Sequence, residues 1–328
     1  MKSEGVVAGA AADVGEMPTR RPVERFAELP QDRRAGRAGL VVALGLSRII
    51  RQQAHTVSFA PPGGFVPVKI VSMLPYDEAG TGNPLVLLHA GVADRTMWRE
   101  HLEPLAEAGY RAVAIDLPGF GDAPVPPGAQ APWEDVLRTL KELKVDRAAV
   151  VGNSFGAAVA LRAAAVAPAA VSALVLVSVP PLDSDPSPEL AAAWGAEEAA
   201  LERGDIDGAV AAVVEAWTQP GAPKELRERV ASMQRRALEI QAAAGDVDEA
   251  ADPLEQHPEA LADLRIPVLL AVGEQDMPDF KQATQELAQV LPQARTAVIE
   301  GAGHLAPLEA PGEFRRLMLE FLRSDLPG

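Results

Sequence analysis

VVGNSFGAAVALRAA, residues 150–164, runs from a β-branched pair through Gly152-Asn153-Ser154-Phe155-Gly156 into an alanine-rich helical pattern. A serine framed by two glycines where a strand gives way to a helix matches Gly-x-Ser-x-Gly in the context that gives the motif meaning. The spacing predicts a turn so tight that the residues two before and two after the serine must lack side chains. Such a turn strains the serine backbone and holds its hydroxyl at a helix N-terminus, where N–H groups face developing negative charge.

A serine hydroxyl is a weak nucleophile until a base takes its proton, and the chain has five histidines. His304 lies in Glu300-Gly301-Ala302-Gly303-His304-Leu305, a glycine-loosened loop after the last strand-like run, and is the expected base. His89, at the end of an earlier run, is expected to play a structural role. His55, His101 and His257 lack such context and read as solvated surface histidines. The third member should be a carboxylate that fixes the imidazole tautomer. Asp276 follows a strand through Gly273-Glu274-Gln275, at the end where open α/β sheets bind ligands. Glu274 and Asp183 are its rivals. The order Ser154, Asp276, His304 is the one expected of this architecture. For the oxyanion, one donor is expected to be the backbone N–H of Phe155. The other should come from His89-Ala90-Gly91-Val92, with Gly91 preferred over Val92.

Outward from this centre, short apolar runs recur at 85–89, 111–116, 148–151, 173–179, 268–272 and 296–299. Each has the length of a buried strand, and helical spacing fills most intervals, as at 98–108 and 134–143. The expected fold is therefore α/β: a mostly parallel central sheet with helices on both faces. A last helix over 311–323 carries Phe314, Leu317, Met318, Phe321 and Leu322 on one stripe. The alternation breaks between Pro180 and Arg265, where only amphipathic segments occur. Val210, Val213, Val214 and Trp217 share one face, and Leu226, Val230, Met233, Ala237 and Ile240 another. These predict a helical cap over the strand ends. Its Trp194, Trp217 and Met233 are candidate pocket walls, as is Phe120 from Asp116-Leu117-Pro118-Gly119-Phe120-Gly121, whose main role is expected to be a structural turn. Trp98 is expected in the core.

The expected boundaries are an extension over 1–64, a first core segment over 65–182, the cap over 183–262 and a second core segment over 263–328. The extension has nine basic and six acidic residues, net +3, leaving −19 for the rest of a chain whose formal charge is −16. It reads as largely disordered, ending in Pro61-Pro62-Gly63-Gly64. Two other readings are an interaction helix carrying Arg48 and Arg51, and an anionic-surface contact through Arg33, Arg34 and Arg37. A third is that synthesis starts at Met73. Apolar residues 39–50 are too short a run to span a bilayer and are broken by Ser47 and Arg48.

From about residue 74 onward the chain resembles the α/β-hydrolases of the small esterase and lactonase type. The likeness rests on LLHAGVADRTMW (87–98), DLPGFG (116–121), GNSFG (152–156), GEQD (273–276) and GAGH (301–304). It departs from the family at Ala90, where relatives usually carry glycine, in its leader, and over Val66–Tyr76, which lacks the usual glycine turn between the first two strands. The resemblance implies two-step acyl transfer on a small-molecule ester or lactone, through an acyl-enzyme at Ser154 and without a cofactor. It leaves open C–C bond hydrolysis, perhydrolase activity and a non-catalytic ligand-binding role. Dehalogenases and epoxide hydrolases of this fold use aspartate where this chain has Ser154.

The acidic balance repels a phosphate backbone, so nucleic acid is not an expected partner. Without cysteine there is neither a disulfide nor a thiolate metal site. No His-Glu-x-x-His metal motif occurs. The expectation is a cytoplasmic monomer or homodimer.

Overall fold

The computed structural model describes residues 73–245 and 247–325. The 1–64 extension, the Arg48 and Arg51 helix and the Arg33, Arg34 and Arg37 contact fall outside the described residues.

Seven strands form one sheet: β1 (Tyr76–Ala79), β2 (Asn83–Leu88), β3 (Tyr110–Ile115), β4 (Ala148–Asn153), β5 (Val171–Val177), β6 (Val268–Gly273) and β7 (Ala294–Ile299). Their order is β1-β3-β2-β4-β5-β6-β7. The pairs are parallel throughout except β1 against β3, where Tyr76 faces Ile115.

Near-continuous apolar strands follow from burial on both faces. Along β2, Val86 and Leu88 point into one core layer while Leu85 and Leu87 point into the other, and the same alternation runs through β3 to β6. One layer is closed by α1 (Arg99–Glu107), through Leu102 and Leu105, and by the last helix, Pro311–Asp325, through Phe314, Met318, Phe321 and Leu322. The other is closed by α2 (Pro132–Glu142), α3 (Phe155–Val166) and the helix Pro278–Val290.

Two sequence expectations change, and one strand is added. His101 is buried, not solvated, at 1% exposure. Trp98, His101 and Leu105 share the inward stripe of α1; the imidazole hydrogen-bonds the Pro307 carbonyl through Nε2 at 2.9 Å and meets Trp98 and Phe314 edge-on. Burial lowers its pKa to about 4, so the ring stays neutral. β7 is an edge strand rather than a fully buried one, and Val298 is 55% exposed. β1 carries too few apolar residues to be read from periodicity, and only its ladder with β3 defines it.

Between β5 and β6 the chain inserts five helices: α4 (Pro188–Glu202), α5 (Ile206–Trp217), α6 (Lys224–Ala244), α7 (Pro253–Gln256) and α8 (Ala260–Asp263). After these come α9 (Pro278–Val290), α10 (Ala306–Glu309) and α11 (Pro311–Asp325). The insertion packs α4 on α5 and α5 on α6.

Arg162 of α3 ties the insertion's end to the core. Its guanidinium pairs with Asp252, Nε donating at 3.0 Å, with the two residues only 1% and 8% exposed. Removing one partner strands a buried charge. Arg162→Met is therefore expected to lower unfolding free energy by about 3–5 kcal/mol in urea titrations. A loss below about 1 kcal/mol would show that solvent reaches Asp252.

Candidate active site

The turn at residues 152–156 is closed by two backbone contacts. A Cβ on Gly152 would lie 2.3 Å from the Gly156 carbonyl oxygen, and one on Gly156 would lie 2.3 Å from that of Leu88. Strand and helix therefore meet only because both positions are glycine. Ser154 takes up the strain, with φ 53° and ψ −114°, a region that L residues occupy at a cost of about 1–3 kcal/mol. Its N–H donates to the Val177 carbonyl at 2.8 Å, and its own carbonyl accepts from Ala157 and Ala158. Phe155 opens α3, so its N–H belongs to the first helical turn, whose donors lack intrahelical acceptors.

His304 and Asp276 reach the same end of the sheet from the loops after β7 and β6. His304 Nδ1 lies 3.1 Å from Asp276 Oδ1, which also accepts from the Met277 N–H at 2.8 Å. Both residues are buried, at 6% and 5% exposure, and Asp276 Oδ2 has no partner. Asn153 Nδ2 donates to the His304 carbonyl at 3.1 Å, joining the loop of His304 directly to the turn of Ser154. A Cβ on Gly273 would lie 2.0 Å from the Gly303 carbonyl, so the two loops also lie in close backbone contact. The rival carboxylates go elsewhere: Glu274 accepts from the Gly301 N–H at 3.0 Å, and Asp183 is exposed at the start of the insertion.

Rings enclose the imidazole. Trp217, at the end of α5, lies 4.6 Å from His304 centroid to centroid, and Phe280 of α9 lies 4.3 Å away. These aromatic walls restrict the solvent around His304. Trp217 and Phe280 pack with Leu190, Val213 and Val272, and Trp194, Val92 and Met277 cover that cluster. Val92 packs on that cluster, and Gly91 beside it is likewise half-buried. Met233 is a buried residue of α6, its sulfur 3.5 Å from the Thr96 hydroxyl. Phe120 is 1% exposed and wedged between His89 and Phe155, with centroids 5.0 and 5.8 Å away.

His89 is bonded at both ring nitrogens. Nε2 accepts from the Leu117 N–H at 2.9 Å, so Nδ1 carries the proton and donates to the Ala90 carbonyl at 2.8 Å. Burial holds its pKa below the ordinary histidine value. The neutral ring fixes the loop after β2 against the loop after β3. Asp116 completes that frame by accepting from the Arg95 and Asp122 N–H groups at 2.8 and 2.7 Å, and its carboxylate pairs with the Arg95 guanidinium.

Glu309 has a place here that sequence reasoning missed. Its carboxylate accepts from the Gly303 N–H at 2.8 Å and from the Gln219 N–H at 3.0 Å. One side chain thus pins both the loop of His304 and the segment after Trp217. Burial raises its pKa. No local pattern marks such a residue, because its two partners lie 6 and 90 positions away.

The model of the alpha/beta hydrolase family matches residues 85–317. Among curated proteins, 2-hydroxy-6-oxo-2,4-heptadienoate hydrolase of Pseudomonas putida is 26% identical over 267 residues, 76% of this chain and 92% of that one. Among solved structures, a thermophilic esterase from Thermogutta terrifontis, with malate bound, superposes with a TM-score of 0.65 at 26% identity, covering 77% of this chain and 94% of that one. Est816, described as an N-acyl homoserine lactone degrading enzyme, gives a TM-score of 0.61 at 25% identity over 76% and 96%.

Proposed function

Because this chain belongs to the α/β-hydrolase family, we propose that it is a serine hydrolase that cleaves a carboxylic ester or lactone through an acyl-enzyme at Ser154. The observation that carries this reading is the strained Ser154 at the β4–α3 turn, tied by Asn153 to a His304 whose Nδ1 meets Asp276.

In the proposed mechanism Asp276 holds the Nδ1 proton, leaving Nε2 of His304 to accept the Ser154 proton. Ser154 Oγ attacks the substrate carbonyl carbon. The resulting oxyanion is held by the Phe155 N–H and a donor from the loop after β2, for which Gly91 is the choice. Collapse breaks the C–O bond, and His304 returns the proton to the leaving alkoxide. Water, deprotonated by His304, then attacks the acyl carbon and frees the acid and Ser154. The cycle closes with the chain's own groups and needs no cofactor.

Residues 183–262 act in this reading as a cap, with Trp194, Trp217 and Met233 around the acyl chain. The apolar cluster that α4 and α5 supply suits an aliphatic acyl group, and the relatives named as an esterase and as a lactone-degrading enzyme support the substrate class. One observation favours a second reading, C–C bond hydrolysis on the same residues: the Pseudomonas relative is named for an oxo-dienoate rather than an ester. Among the described residues no helix is long and apolar enough to cross a membrane. A small-molecule substrate and a cytoplasmic location fit that.

Labelling tests the nucleophile directly. A fluorophosphonate should modify one residue, identified by peptide mass as Ser154, while p-nitrophenyl acetate, butyrate and octanoate report the acyl length preferred. Labelling elsewhere, or none with turnover intact, would remove Ser154 from the mechanism.

A further inference from the structure

The insertion hides three polar side chains that the mechanism leaves unused. On α4, Trp194 and Glu197 stand one turn apart on the same face. From α6, Gln234 reaches across to Glu197, its Nε2 donating to Oε1 at 2.9 Å. Gln234 is 5% exposed, and its Oε1 is buried without a partner. The Trp194 Nε1 is likewise buried and unpartnered. Among the described residues an orphaned donor on α4 and an orphaned acceptor on α6 are therefore linked through Glu197, each carrying a desolvation cost of about 1–3 kcal/mol if nothing pairs with it.

The Trp194 end of this group borders the reaction centre. Trp194 covers the cluster of Trp217 and Phe280, the two rings against His304. Gln234 follows Met233, which packs in the core layer that Val92 also covers. The side chains clustered with Trp194 are aliphatic and aromatic, so these are polar atoms in an apolar setting, the composition of a specificity site.

We infer that Trp194, Gln234 and Glu197 form a polar subsite that recognises a neutral donor–acceptor group, an amide or a hydroxyl, on the acyl part of the substrate. Trp194 Nε1–H donates to the oxygen of that group, and Gln234 Oε1 accepts its N–H or O–H. Glu197 orients the Gln234 amide by taking the Nε2 hydrogen, which aims Oε1 away from itself. Burial pushes the Glu197 carboxyl up to about 7, as expected of an acid held in this apolar setting with only an amide to stabilise its charge. When Glu197 is protonated the amide can turn over and offer Nε2 instead, which leaves two donors, so the match to a group that both donates and accepts belongs to the ionised carboxylate.

The inference rests on the hydrolase reading for its position on the acyl side, and two measurements separate them. The first is kcat/KM for p-nitrophenyl esters bearing a terminal acetamido, hydroxyl, ammonium or methyl group on acyl chains of two to six carbons. At the matching length the acetamido or hydroxyl ester should exceed the methyl-terminated one by about tenfold, the worth of one to two buried hydrogen bonds. Within each variant, Gln234→Leu and Trp194→Phe should bring that ratio to about one; having two variants guards against misfolding of either. The second is calorimetric titration of the corresponding free acids into Ser154→Ala protein, which needs no turnover and should show the same tenfold preference. Equal binding of all end groups, a preference for ammonium, or a preference that survives both variants would overturn the subsite. Absent turnover with the binding preference retained would overturn only the serine reading.

Discussion

Ser154→Ala is expected to lower kcat for a p-nitrophenyl ester by roughly 10⁴- to 10⁶-fold. In the proposed mechanism no neighbouring side chain replaces the nucleophile, because the strained position at the end of β4 is that of Ser154. The fold should survive: alanine keeps the Cβ that the turn already accommodates, and the N–H bond from residue 154 to the Val177 carbonyl is unchanged. Far-UV circular dichroism and the urea midpoint should match the wild type. Adding His304→Ala to this variant should cost little more, since the base has no proton left to take. Retention of a tenth of wild-type turnover would place the nucleophile elsewhere.

Asp276→Asn should reduce kcat by about 10⁴-fold at neutral pH while preserving the fold. Asp276 Oδ1 takes hydrogen bonds from the Met277 N–H and the His304 ring. An asparagine that keeps its oxygen on Met277 keeps it on Nδ1 as well, because one atom serves both, so what the variant loses is the negative charge beside the ring. In the proposed mechanism the imidazolium that forms when Nε2 takes the Ser154 proton is then left without its counter-charge. Removing a carboxylate with one unpartnered oxygen relieves buried charge, so stability should hold or rise. Glu274→Gln is the control: its carboxylate bonds Gly301, and it should change kcat/KM by less than about threefold. A larger effect for Glu274 than for Asp276 would exchange their roles.

Much of this architecture could be read along the chain because the physics that sets it is local. A strand buried on both faces must be apolar at nearly every position, so β2 to β6 announce themselves. A turn that forbids a Cβ at two places must carry glycine there, so Gly152 and Gly156 mark Ser154. That His304 and Asp276 come to one end of the sheet could be read because each follows a strand through a short turn. β1 and the exposure of β7 were illegible, since edge strands are defined by a neighbour on one side only. His101 misled because a histidine on an inward helix stripe looks polar until the Pro307 carbonyl is found to receive it, across an interval of 206 residues.

By itself the amino-acid order determined the sheet, the strained serine turn and the presence of a helical insertion, all consequences of steric exclusion and hydrophobic period within a few residues. Tertiary structure alone decided that Trp217 and Phe280 flank His304, that Glu309 clamps its loop to the segment after α5, and that Gln234 meets Glu197. These contacts join side chains far apart in sequence, and a polar group on an amphipathic helix carries no local mark of the partner that will desolvate it.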